Sequence, residues 1–536
     1  MPMVNTSLDG LAEVAAQPQS LLGLKLVVSA IDLEQREHRG IAVYSKALLR
    51  ALHAAGAEVW LLTEFSAELR EAALRRQAGP TRSLLQAARV LDALLCGRPP
   101  APPPSLRRRL ISRLPLGTGA LHRWDTEREL FRQLFPKRHV SCAEQMRLTV
   151  HDLVDNPYLQ HDRLDYLQWV HGLISAPDIY VHSMRLAGRR QGRPLVIDLH
   201  GFNGFISTCP LNIVARGVHF TLQTVHDVIP LEFVQTSDQQ AVFLRRLERC
   251  ADTARLFMSA STAMKFRCSI RAGADSLEAV VAQPPSLHFR DFTLGLDEPP
   301  HGRALAVVNG QKDVVALQPY RYLLFNSSLE PRKNLLFALR AYRESGLHQL
   351  GIPFCVAGAL KRDAYSDEIR RVAQPDSGVV LADFVDEALR RELFLNAMAL
   401  VSPSLVEGFG IPVLDAACLG LVVLASPSAS HREIQALHDF RDYVWLCDNL
   451  DSSQLAAAMR LVALREQAIS LPESVRRRER LARHRDCRSQ LSSAFCRDVS
   501  LLIRGAMGSQ LPPQGNLSMT TDVTAARLVA QASGPA

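Results

Sequence analysis

The sequence predicts an α/β protein built from two doubly wound domains in tandem. Three observations carry that prediction. Apolar runs of strand length alternate with amphipathic stretches of helix length, the pattern of a parallel sheet wound by helices. The alternation occurs in two series, separated near residues 291–311 by a stretch where periodicity is lost and turn residues gather. The length of 536 residues also exceeds what one hydrophobic core usually serves.

In chain order, a polar leader (1–23) precedes LKLVVSAID (Leu24 to Asp32), a buried strand. YSKALLRALHAAG (Tyr44 to Gly56) follows as an amphipathic helix closed by glycine, and AEVWLLT as a second strand. Between about residues 64 and 178 the pattern loosens. This stretch contains GRPPAPPPSLRRRLISR (Gly97 to Arg113), whose proline run suits neither core strand nor helix, so it reads as an insertion. Its arginines fit a solvated basic surface or a contact with anionic lipid head groups. Strands resume at PLVIDLHGF (Pro194 to Phe202), FTLQTVHDVIP (Phe220 to Pro230) and LFMSAST (Leu256 to Thr262). The first domain is thus expected over 24–300 and the second over 301–480. The second contains the strands YLLFNSS, IPFCVAGA, SGVVLADFV, ALVSPS and LVVLAS, with NLLFALRAYRESG as a helix among them. Pro472 to Arg504 reads as helical and arginine-rich, with 481–504 beyond the second domain. Its arginines from Arg476 to Arg485 are expected to lie on a solvated face, and 505–536 reads as a disordered tail.

Composition narrows the function classes. Hydrophobic residues make up 47% and charged residues 22%, ordinary globular usage. The formal charge of +8 favours anionic partners without choosing among phosphorylated metabolites, acidic membranes and nucleic acid. The ten cysteines show no CxxC and no metal-ligand spacing with histidine, so no disulfide framework or zinc site is expected and a cytoplasmic location fits. No run approaches the roughly 18 apolar residues of a spanning helix.

Two stretches carry chemistry. In EGFGIPVLD (Glu407 to Asp415) the glycines and Pro412 rule out one continuous helix, leaving a loop and then a helix with Asp415 in its first turns. Gly408 and Gly410 would let a ligand approach backbone amides at a helix start, where partial positive charge favours an anion. An anion there with a carboxylate on either side suits a nucleotide sugar better than a proton-transfer pair. A glycine-rich turn whose acids cap a helix fits the spacing equally well. In YLLFNSSLEPRKNLLFALRAY, Asn334 is a candidate N-cap, and Arg332 and Lys333 stand just before the helix, where cations and free amides would converge on phosphate. A solvated basic pair is the alternative.

Together, SSLEPRKN and PSLVEGFGIPVLDAACLGLVVLAS resemble the donor-site segments of the retaining GT-B glycosyltransferases of family 4, the second matching that family's E-x7-E motif. RGIAVYSKALLRAL (Arg39 to Leu52) is similar to the family's amino-terminal glycine loop and helix, and TVHDVIPLEF (Thr224 to Phe233) to its interdomain histidine segment. The resemblance implies a GT-B fold of two Rossmann-like domains facing across a cleft. It implies transfer of a hexose from a nucleotide diphosphate sugar, with retention, to a saccharide or lipid-linked acceptor in cell-surface polysaccharide or lipopolysaccharide synthesis. His226, Glu407 and Lys333 become candidate catalytic residues. Arg332 and Lys333 would bind the diphosphate, Glu407 sugar hydroxyls, and Gly408, Phe409 and Gly410 would offer amides. Asp415 would hold the ribose, and Gly40 would lie in the loop approaching the diphosphate.

Two departures stand out: Ser328 occupies a position where many members have arginine, and Asp415 replaces the second glutamate. No D-x-D occurs, which favours cations and dipoles over a metal at the diphosphate. No cofactor other than the donor substrate is implied, no nucleic-acid partner is expected, and a peripheral contact at the inner membrane face fits a lipid-linked acceptor. A catalytically silent fold acting as a nucleotide-sugar binding or scaffold module is the rival from another class.

Overall fold

A computed structural model describes residues 20–36, 38, 40–69, 72–97, 135–150, 162–233, 239–270, 277–289, 304–309, 313–382, 385–437 and 439–508. Most of the leader, the proline-rich run after Gly97 and the tail beyond residue 508 lie outside the described residues.

The first domain is an eight-stranded sheet. In chain order its strands are β1 (Lys25–Ser29), β2 (Glu58–Thr63), β3 (Met146–Thr149), β4 (Gly172–Ser175), β5 (Gly204–Ser207), β6 (Phe220–Val225), β7 (Ala254–Phe257) and β8 (Glu278–Val280). They lie in the order β8-β7-β6-β5-β1-β2-β4-β3, all parallel except the antiparallel edge pair β3 and β4. Continuous apolar runs such as LVV in β1 are buried on both faces, as parallel strands between layers must be. Helix α1 (Ile41–Ala54) follows β1, and α2 (Ala260–Ser269) follows β7.

The second domain is an all-parallel six-stranded sheet of β9 (Leu323–Asn326), β10 (Phe354–Ala357), β11 (Val379–Ala382), β12 (Ala399–Ser402), β13 (Val422–Ala425) and β14 (Val444–Leu446). Its order is β11-β10-β9-β12-β13-β14. The crossovers therefore run to one side after β9 and to the other after β12, which puts the topological switch point between those two strands. Its helices include α3 (Leu335–Ser345), α4 (Ile411–Cys418), α5 (Ala429–Ala436) and α6 (Ser452–Gln467). Two doubly wound α/β domains are therefore present, as the alternation predicts.

Three expectations need correction, and one strand went unpredicted. Pro194 to Phe202 is not in the main sheet: its strand, Leu195–Asp198, lies between His139–Val140 and Ile213–Arg216 in a separate three-stranded sheet. The strand beside β1 is instead β5, whose GFIS has only two apolar side chains in a row and so gives no strand signal. Within 64–178, β3 and β4 extend the main sheet, and Leu164, Tyr166, Leu167 and Val170 belong to its core, so that region is only in part an insertion. Around the boundary, Leu305–Val308 pairs antiparallel with Val314–Leu317, and Leu287 is already buried in the second domain's core.

The last helix, α7 (Glu473–Met507), is longer than expected and ties the domains together. Cys487 and Leu491 belong to the second domain's core, whereas Phe495, Cys496, Val499, Leu502, Ile503 and Met507 belong to the first's. Its arginines are only in part the solvated face expected: Arg478 and Arg485 are exposed, but others are buried. Arg477 pairs with both carboxylate oxygens of Glu392 at 2.7 and 2.8 Å, and Arg480 donates to the Leu395 and Ala397 carbonyls at 2.7 and 2.9 Å. Arg476 pairs with Glu466 and stacks 3.8 Å from the centre of the Tyr320 ring. Arginine suits this role because its planar fork satisfies several acceptors and stacks on an aromatic face while desolvated.

Candidate active site

The switch point explains why Lys333 and Glu407 meet although 74 residues separate them. β9 and β12 are adjacent, so the loops leaving their carboxyl ends rise side by side, and Leu405 N donates to the Arg332 carbonyl at 2.8 Å. Pro331–Lys333 form a short 3₁₀ turn, and Asn334 reverses the chain with φ 55° before α3. Asn334 makes no side-chain cap, contrary to expectation; it serves as the residue tolerant of a left-handed backbone.

Glu407 is the centre of the cluster. Its Oε1 accepts from Lys333 Nζ at 2.5 Å and from Ser404 Oγ at 2.9 Å, and Arg332 Nη1 lies 3.8 Å from its Oε2. The Lys333 and Glu407 side chains are only 8% and 9% exposed, so the ion pair is largely dry. Burial by itself would raise the Glu407 carboxyl. The Lys333 ammonium, with His431 and Arg332, overcomes it and holds the group down at about 2. Arg332 is also braced by Glu330 through Nε at 3.0 Å, and Glu330 in turn meets Lys361 at 3.1 Å.

The glycine loop follows. Gly410 is the N-cap of α4 with φ 93°, where a side chain would be strained, and its carbonyl accepts from Val413 and Leu414. A Cβ there would also lie 3.2 Å from the His431 ring. At Gly408 a Cβ would lie 3.0 Å from an Asp227 carboxylate oxygen, so the loops at the carboxyl ends of the two sheets approach each other here. Phe409 is half-buried and packs against both domain cores, a bridging role in addition to any contact with ligand. Ser430 on α5 donates to the Gly408 carbonyl at 2.7 Å.

Across this junction, His226 follows β6. Its Nε2 lies 2.7 Å from the Thr208 carbonyl, an acceptor only, so Nε2 carries the proton. Burial lowers its pKa to about 4 against the opposing effect of that hydrogen bond, which keeps the ring neutral at pH 7. Tyr44 packs edge-on at 4.8 Å, and Thr208 Oγ1 donates to Asp32 at 2.7 Å. Gly40 precedes α1 with φ 47° and open space at its Cβ position.

Asp415 is placed differently from what the resemblance implies. Its side chain has no exposed surface. One oxygen accepts from Ser286 N at 2.5 Å and Leu287 N at 3.2 Å, the other from Ser286 Oγ, and Arg390 stands at 3.8 Å. Burial raises its pKa despite Arg390 and these donors. The carboxylate holds the chain at Ser286 and Leu287, which leads into the second domain. Sequence reasoning also missed His431, Ser430 and Asp227. Asp227 adjoins His226 inside the quoted TVHDVIPLEF, whereas SASHRE carries no signal in a single sequence. Among the described residues no group of three His, Cys, Asp or Glu could hold a metal.

Residues 320–463 match the family model described as Glycosyl transferases group 1. That span contains Arg332, Lys333, Glu407, the glycine loop and all six strands of the second sheet. No curated protein matches the chain. Among solved structures, sucrose-phosphate synthase from Thermosynechococcus elongatus is similar at 15% identity and a TM-score of 0.45, over 90% of this chain and 98% of that one. HepE from Anabaena in complex with UDP is similar at 12% identity and a TM-score of 0.41, over 89% of this chain and 97% of that one. No described helix is long and apolar enough to cross a membrane.

Proposed function

We propose that the chain is a retaining GT-B glycosyltransferase that moves a hexose from a nucleotide diphosphate sugar to a saccharide or lipid-linked saccharide acceptor, in cell-surface polysaccharide or lipopolysaccharide assembly. The observation that carries this reading is the dry Lys333–Glu407 pair, flanked by Arg332, at the switch point of the domain that matches Glycosyl transferases group 1.

In this reading Lys333 and Arg332 take the diphosphate. Their charges balance the leaving group as the bond between the anomeric carbon and the phosphate oxygen breaks. Glu407, held ionised, accepts from hydroxyls of the transferred sugar, each such bond worth on the order of 1.5 to 3 kcal/mol. The amides at Gly408, Phe409 and Gly410 supply dipoles at the start of α4, and Gly40 lies in the loop of the first domain that approaches the same group. The acceptor hydroxyl attacks from the face the phosphate leaves, its oxygen bonding to the anomeric carbon and its proton passing to the departing phosphate. Neutral His226 stands across the junction and offers Nδ1 as an acceptor to a sugar hydroxyl. Asp415 stays with Ser286 and Leu287. The Anabaena HepE structure was solved with UDP, which makes a UDP-sugar the first donor to test.

The test is a thermal-shift screen against UDP-, GDP- and ADP-sugars followed by turnover of any that bind. A donor at 100 times its dissociation constant adds about 2.7 kcal/mol. Stabilisation and turnover that disappear in Glu407→Ala are expected. A protein that neither binds nor hydrolyses any of these donors overturns the proposal, and one that binds without turnover under all conditions favours the scaffold reading.

A further inference from the structure

Glu433 lies on α5 one turn from the donor loop, but its side chain leaves the second domain. Its Oε2 accepts from Ala260 N at 2.7 Å and its Oε1 from Ser261 N at 2.8 Å. These are the first two amides of α2 in the first domain, and helical geometry provides no carbonyl for either. The next amide, Thr262 N, is taken by the Ser259 side chain, so α2 caps one donor itself and leaves two to a carboxylate from the other domain. An ionised group on helix amides is among the stronger neutral-to-charged hydrogen bonds, and the helix dipole adds to it.

Both ends of this contact lead into the candidate site. On α5, Ser430 holds the Gly408 carbonyl and His431 lies under Gly410. On α2, Thr262 Oγ1 donates to the His226 carbonyl at 3.4 Å. The contact thus links the loop bearing Glu407 to the histidine opposite through two short helices.

We propose that Glu433 is a positioning residue: by clasping the amino end of α2 it sets the register between the donor loop and His226 across the domain junction. This rests on the glycosyl-transfer reading for its consequence, though not for the clasp itself. Losing the clasp leaves the second domain's own donor contacts in place while spoiling alignment across the junction, so turnover suffers and donor affinity does not. Misplacement on the ångström scale costs about 10- to 100-fold in rate.

Two variants weaken the contact from opposite sides, the first by removing it and the second by taking one of its two hydrogen bonds. Glu433→Ala deletes the acceptor. Ala260→Pro deletes one donor at the first position of α2, where proline is well tolerated and the preceding Ser259 is already extended at φ −151° and ψ 151°. The donor is whichever of UDP-glucose, GDP-mannose or ADP-glucose the wild type hydrolyses. Glu433→Ala is expected to lower kcat about 10- to 100-fold and Ala260→Pro, which leaves the Ser261 bond, by less, each with donor Kd changed less than about threefold. Their combination should cost little more than Glu433→Ala alone, because both act on one interaction. Glu433→Gln, which keeps one carbonyl acceptor, should fall between wild type and Glu433→Ala. Independently of turnover, hydrogen exchange at the start of α2 should accelerate in both variants. Unchanged exchange overturns the clasp. Unchanged kcat in a turning-over enzyme, or a loss of donor affinity matching the loss of kcat, overturns the positioning role. A wild type that turns over no donor counts against the glycosyl-transfer reading alone, and the exchange measurement still decides the clasp.

Discussion

Lys333→Met tests the dry ion pair most directly. In the folded protein the Glu407 carboxyl is held at about 2 instead of its ordinary 4.5, with burial opposing and Lys333 the largest favourable cause. At about 1.4 kcal/mol per tenfold, that difference corresponds to roughly 3 kcal/mol of folding stability at neutral pH. Because the folded value lies below the unfolded one, the contribution is full above about pH 5 and is lost as the pH falls from 4.5 toward 2. Removing Lys333 leaves a buried carboxylate with Arg332 at 3.8 Å as the nearest cation and should cost about 3 kcal/mol at pH 7. Glu407→Gln should lack the acid limb. The double variant, with no charge on either side, should recover most of the loss. Urea unfolding at pH 7, and thermal melts from pH 2 to 7, read these quantities. Single-variant costs that add within about 0.5 kcal/mol in the double variant would refute the coupling on which the site is built.

Gly410→Ala should destabilise by about 1 to 2 kcal/mol, from the positive φ and the His431 contact, and weaken donor binding with it; equal melting temperatures would show that the loop relaxes freely. Asp415→Ala should lower stability by about 1 to 3 kcal/mol through the orphaned Ser286 and Leu287 donors and leave donor Kd within about threefold; a large loss of donor affinity with unchanged stability would return the ribose role to Asp415. His226, with a pKa of about 4, should contribute no inflection to the kcat profile between pH 5 and 8, so a limb near 6.5 that vanishes in His226→Asn would contradict its burial.

The donor side was readable because its signals are local. PRKN and EGFGIP each declare a loop, a helix start and charge within a few residues, and the strands before them lie in runs of four or more apolar residues, YLLF and AMALV. What escaped was whatever depends on a distant partner. β5 has only two apolar side chains in a row and gains its place from β1 and β6 on either side. The arginines of α7 look like a solvated face because the acceptors that bury them, Glu392 and the Leu395 and Ala397 carbonyls, come from about 80 residues earlier in the chain. Asp415 stands where the resemblance implies a ribose contact, but Ser286, which its carboxylate meets, lies 129 residues away.

By itself the sequence determined the fold class, with its two doubly wound sheets, and marked Arg332, Lys333 and Glu407 as candidate site residues, since alternation, turn chemistry and helix starts are set by neighbours along the chain. The tertiary structure decided which of those residues share a site. Only adjacency of β9 and β12 joins Lys333 to Glu407 and dries the pair, and only the meeting of two domains brings Gly408 to Asp227 and Glu433 to α2. Coulombic and hydrogen-bond energies depend on distance and on the exclusion of water, and both are properties of the packed molecule.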